Sequence, residues 1–132
     1  MRKFAVPLRI LLMITICLLL SSCRRKALSP EETEVEKEIK AQWQLVLDAI
    51  AKQDTEKFLS LCSENIPKQY SRERIDSYLK DSKESMKVRI RTDYEVLSSA
   101  FYKDMTEATI TLKGKGKKDF IKEKGKWVLK DL

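Results

Sequence analysis

Apolar residues change their spacing twice along this chain of 132 residues. From Ile10 to Leu20 they form one run, interrupted only by Thr15. After a polar interval Val35, Ile39, Trp43, Val46, Leu47 and Ile50 recur three or four apart, which predicts an amphipathic helix ending near Lys52. Ser29-Pro30-Glu31-Glu32 opens it: Ser29 caps, Pro30 suits the first helical position and Glu32 completes a capping box. Asp54 starts a second helix with Phe58, Leu59 and Cys62 on one face. Asn65-Ile66-Pro67 ends it, because Pro67 disfavours helical geometry in the residue before it. Ser71 starts a third, carrying Ile75, Tyr78 and Leu79 and fading over Lys80 to Glu84.

From Lys87 the period falls to two. Val88, Ile90, Thr92, Tyr94 and Val96 alternate with Arg89, Arg91, Asp93 and Glu95, which predicts a half-buried strand. A turn near Lys103-Asp104 leads to a second strand, with Ala108, Ile110 and Leu112 on one face. Lys113 to Lys118 reads as a Gly/Lys loop, and Phe120-Ile121 as a third strand. Lys124-Gly125 is a tight turn with Gly125 at positive φ, and Trp127, Val128 and Leu129 form the last strand. The expectation is one α+β domain over residues 29–132, with three helices packed on a curved antiparallel sheet of about four strands.

The first apolar run is too short to span a bilayer. At about 1.5 Å per helical residue it crosses roughly half of a ~30 Å hydrocarbon core. Arg2, Lys3 and Arg9 precede it, no acid occurs before Glu31, and small Ser21 and Ser22 follow it. That order is a secretory signal peptide, residues 1–22. Leu20-Ser21-Ser22-Cys23 resembles the lipobox of bacterial lipoproteins. The resemblance implies peptidase recognition at Leu20, Ser21 and Ser22, lipid on Cys23, and a protein anchored to a membrane outside the cytoplasm. It also implies the outer membrane in a Gram-negative host, because Arg24 and not Asp follows Cys23. Residues 23–28 form a tether whose Arg24, Arg25 and Lys26 have two readings, contact with anionic headgroups or simple solvation.

The leader alters what composition means. Of 27 Lys and Arg, three lie in the leader, and the remainder exceeds the 20 Asp and Glu by only four although the whole chain carries +7. Nucleic acid is not implied. Cys17 leaves with the leader and Cys23 takes lipid, so Cys62 is the one thiol left and no intramolecular disulfide forms. The chain has no His, the commonest zinc ligand and general base. No metal or cofactor is implied.

Val46 to Phe58, with its Gln53-Asp54 corner between two helices, and Glu123-Lys124-Gly125-Lys126-Trp127 together resemble the nuclear transport factor 2 superfamily, the cone-shaped fold shared with ketosteroid isomerase. The rival architecture is a cystatin-like helix on an antiparallel sheet. Enzymes of that superfamily place Asp, Tyr or His inside the cone, but their motifs do not map onto this chain. Asp48 has no clear facing, and Asp93 and Glu95 share a face with arginines. Trp43, Phe58, Tyr78, Tyr94 and Trp127 have two readings, the lining of an apolar pocket or plain core. Lys113, Lys115, Lys117 and Lys118 likewise read as a solvated loop or a site for a polyanion. The function expected is a non-catalytic binding or interaction module at the cell envelope, attached to the membrane through its lipid. Its partner would be an envelope protein or a small apolar ligand. The alternatives are a pocket enzyme of the ketosteroid-isomerase type and a homodimer formed through the sheet face.

Overall fold

The structure is a computed structural model that describes residues 28–88, 91–114 and 116–132. The expected signal peptide, the Leu20–Cys23 lipobox, the tether cations and Arg89, Ile90 and Lys115 lie outside the described residues.

Helix α1 spans Pro30–Lys52. The Ser29 hydroxyl accepts the Glu32 N–H at 3.1 Å, and Glu31 and Glu32 stand in the positive first turn. Gln53 ends the helix in the left-handed region, at φ 49° and ψ 38°, where its N–H reaches the last carbonyls. Asp54 then caps α2 (Thr55–Ser60) by accepting the Lys57 N–H at 3.1 Å. A single turn, α3 (Ile66–Gln69), precedes α4 (Arg72–Val88), which Ser71 caps through the Arg74 N–H. A 3₁₀ turn, Arg91–Tyr94, leads to the strands β1 (Val96–Tyr102), β2 (Glu107–Leu112), β3 (Gly116–Glu123) and β4 (Lys126–Leu129). These form an open antiparallel meander in the order β1-β2-β3-β4. The fold is α+β, helices first and sheet second.

Three expectations are corrected. In the stretch Val88–Val96, expected as a strand, Val88 ends α4, Arg91–Tyr94 form a 3₁₀ turn and, among the described residues, only Val96 enters a strand. No Gly or Pro interrupts Lys80–Lys87, and Met86, seven residues beyond Leu79, packs against the core, so the helical period continues. Val88, which was to face inward, is 88% exposed. Cys62 is not on a helix. The Leu129 N–H donates to Leu61 and the Ser63 N–H to Leu129, so residues 61–63 run beside β4 as a parallel bridge. Finally, the Gly/Lys loop is shorter than its composition suggests, because β3 already begins at Gly116.

One face of the sheet is apolar. Ala108, Ile110 and Leu112 of β2 join Phe120, Trp127 and Leu129. From α1 come Ile39, Trp43, Val46 and Ile50, and from the other helices Phe58, Ile66, Ile75 and Leu79. The Trp43 and Phe120 rings meet edge to face at 6.5 Å. Register fixes the facing: Phe120 stands opposite both Ala108 and Leu129. The other face carries Thr109 and Thr111 of β2 and Lys117 and Asp119 of β3, with the Thr109 hydroxyl bonded to Asp119 at 2.6 Å. Among the described residues every member of the buried core lies between Ile39 and Leu129. The core is thus complete within the described residues of 28–132, which a domain of this size needs in order to fold.

Two of the three hairpin turns rely on left-handed backbone. Lys124 and Gly125 have φ 51° and 78°, a two-residue turn with positive φ at both central positions that suits the twist of the flanking strands. Lys103, Asp104 and Met105 are left-handed in succession, closed by the Thr106 N–H to Lys103 carbonyl bond at 3.2 Å.

Candidate functional site

A groove of about 640 Å³ opens between α1, the end of α4 and the start of β1. Its apolar wall is Trp43, Leu47 and Ala51 from α1, Met86 from α4, and Val96 of β1 with neighbouring Tyr94. A smaller cavity of about 200 Å³ adjoins it and shares Trp43, Leu47, Met86 and Tyr94. Ile50, Tyr78, Asp81, Ser82, Ser85 and Lys118 complete the smaller one.

Local structure positions these groups. On α1, Trp43, Leu47 and Ala51 recur every four residues and so stand along one stripe. The Trp43 ring is fixed at both ends, by its edge contact with Phe120 and by donation of its indole N–H to the Tyr94 carbonyl at 2.9 Å. That bond joins α1 to the 3₁₀ turn that delivers Tyr94, Glu95 and Val96 to the groove. The turn is held from its other side by the Gly114 N–H on the Asp93 carbonyl and the Lys113 N–H on the Glu95 carbonyl, each at 3.1 Å.

The rim is polar and mostly self-satisfied. Lys40 pairs with Glu36 at 3.0 Å, Gln44 donates to Asp48 at 3.0 Å, and Glu95 pairs with Lys113 at 2.7 Å. Asp48 and Glu95 are exposed. Among the described residues no group of three or more His, Cys, Asp and Glu is placed to hold a metal ion. No helix among them is long and apolar enough to cross a membrane.

Of the five aromatic residues singled out by sequence, the structure brings Trp43, Tyr78 and Tyr94 to the two cavities. Phe58 and Trp127 line neither and are buried in the core at 0% and 3% exposure. Asp93 belongs to the 3₁₀ turn and Glu95 to an ion pair, so neither stands on an arginine-flanked strand face. Leu47, Met86 and Val96 had no signal as lining beyond being apolar. Lys118 had none either, since it read as one of several loop cations. Its place opposite Ile110 in β3 turns it toward the helices.

Cys62 is buried and unpaired, and burial pushes its thiol up to about 12. It is a core side chain with no ionised nucleophile at neutral pH.

Compared with protein-family models, with curated proteins and with solved structures, the chain matches none of them.

Proposed function

We propose that this protein is a lipid-anchored, extracytoplasmic binding module of the nuclear transport factor 2-like type, and that its groove holds a small, elongated, largely apolar molecule. The observation that carries the binding role is the groove beside Trp43. Its volume of about 640 Å³ is that of a small-molecule site, and its floor is apolar with a polar rim. The anchor rests on the Leu20–Cys23 pattern directly behind a short apolar run. The family reading rests on the Gln53-Asp54 corner, where Asp54 caps α2, and on the Lys124-Gly125 turn that leads to Trp127.

Binding without catalysis is favoured because Asp48 and Glu95, the carboxylates lining the groove, are exposed and engaged by Gln44 and Lys113. Acid–base work in an apolar cone calls for a buried carboxylate whose pKa the site tunes.

Two measurements test the reading. Cys23→Ala should leave a full-length precursor without lipid label, and normal lipid incorporation in that variant would remove the anchor. The apolar dye N-phenyl-1-naphthylamine should brighten on adding the 28–132 domain. Ala51→Trp, at an exposed position on the groove wall, should suppress that signal without unfolding the domain. An equal signal in the variant, or none in either protein, would remove the groove.

A further inference from the structure

On the inner face of the sheet Lys118 stands opposite Ile110, a residue with no exposed surface, and two residues before Phe120, which has none either. Lys118 is half-buried in that row, its stem along the apolar face and its ammonium at the cavity. Among the described residues its Nζ makes one polar contact, with the Tyr78 hydroxyl at 3.5 Å, the long limit of a hydrogen bond. The other charged groups lining the two cavities are accounted for differently. Lys40, Asp48 and Glu95 are engaged by Glu36, Gln44 and Lys113. Asp81 is exposed on α4. The smaller cavity thus combines the apolar groups of Trp43, Leu47, Ile50 and Met86 with an ammonium beside a phenol, and Asp81 lines it without pairing to that ammonium.

We infer that the ligand of this pocket is an amphiphile ending in a carboxylate, which Lys118 and Tyr78 hold in the smaller cavity while its apolar part lies along Trp43 toward the larger groove. This rests on the small-molecule reading of the groove. One ammonium and one hydroxyl supply a donor to each oxygen of a carboxylate, and the ammonium makes the contact charge-assisted. A phosphate ester asks for more positive charge than the single lysine here. Lys118 and Tyr78 are binding residues in this account, and no bond is made or broken.

Calorimetry of the 28–132 domain with decanoate, decan-1-ol and decyl phosphate tests it. Decanoate should bind about tenfold tighter than decan-1-ol, the scale of a hydrogen bond to a charged group. Lys118→Met, which keeps the side chain's length, should remove that preference by weakening decanoate far more than decan-1-ol. Lys118→Arg should restore it, and Tyr78→Phe should weaken decanoate by about threefold. Equal binding of acid and alcohol to the wild type would overturn the carboxylate end while leaving the groove. So would equal losses for both ligands in Lys118→Met, or tighter binding of decyl phosphate than of decanoate. Binding of none of the three probes would overturn this inference and the small-molecule reading together.

Discussion

The indole N–H of Trp43 donates to the main-chain carbonyl of Tyr94 at 2.9 Å, across a separation of 51 residues and out of contact with water. The bond ties the middle of α1 to the 3₁₀ turn, so the groove's two walls share one fastening. Trp43→Phe should keep most of the apolar surface and leave a buried carbonyl short of its donor. The expected cost is about 1–3 kcal/mol, read as a lower denaturant midpoint at unchanged m-value. A midpoint equal to the wild type would mean that the bond contributes nothing net.

Gly114 is small for a reason that lies in the 3₁₀ turn. A Cβ built on it would fall 2.4 Å from the Asp93 Oδ1 and 2.8 Å from the Asp93 Cβ. Turning the carboxylate away relieves only the first contact. Gly114→Ala should therefore destabilise by about 1–3 kcal/mol. Adding Asp93→Gly should recover part of the loss in a double-mutant cycle, and strict additivity would show that the two residues do not collide.

Glu123 holds the segment that leaves α2. Its carboxylate accepts the hydroxyl of Ser63 and, at 3.1 Å, the N–H of Glu64. Ser63 is 2% exposed, so loss of the carboxylate leaves the proton of a buried hydroxyl without its acceptor, though the oxygen still accepts the Asn65 N–H. Glu123→Ala should cost about 1.5–3 kcal/mol, whereas Lys126→Ala, on an exposed strand residue of the same hairpin, should stay within about 0.5 kcal/mol. Similar losses in the two variants would show that the hairpin, not the carboxylate, is at fault.

Cys62 makes stability depend on pH on the alkaline side. The free thiol ionises near 9.0, and burial raises this to about 12 in the folded domain. Below 9 both states hold the proton and the thiol has no effect on the balance. Between 9 and about 12 the unfolded chain loses the proton first, so stability falls as pH rises. The difference in stability between wild type and Cys62→Ala should therefore shrink through that window and be flat below it. Native protein at pH 8 should resist iodoacetamide and react only in denaturant. Rapid alkylation of the folded domain would show the thiol to be exposed.

The helices were legible because local signals agreed with one another. Ser29, Asp54 and Ser71 each cap the helix that their place before an apolar stripe announces. The Lys124-Gly125 turn was legible for the same reason, since a two-residue hairpin demands positive φ and glycine supplies it. The first strand was not. Val88 to Val96 alternates well, yet α4 consumes its start. The true β1 hides its alternation, because the register shifts between Val96 and Ser98 and its inner row includes Ser99, paired with Ile110. A shift of that kind moves side chains from one face to the other, and no local pattern reports it.

By itself, then, the sequence determined the short apolar run that ends at the Cys23 pattern, the caps, the helix-then-strand order and most of the apolar core. All of these follow from chemistry within a few residues. Only the tertiary structure decided which aromatic rings line a cavity and which fill the core. Trp43 and Phe58 look alike along the chain, and they part because Trp43 lies on the α1 stripe at the groove while Phe58 is enclosed beneath α4 against Tyr78. It also decided that Lys118, one cation among several in the stretch from Lys113, turns inward to Tyr78. Its direction depends on the pairing of β3 with β2, which brings residues distant in the chain into register.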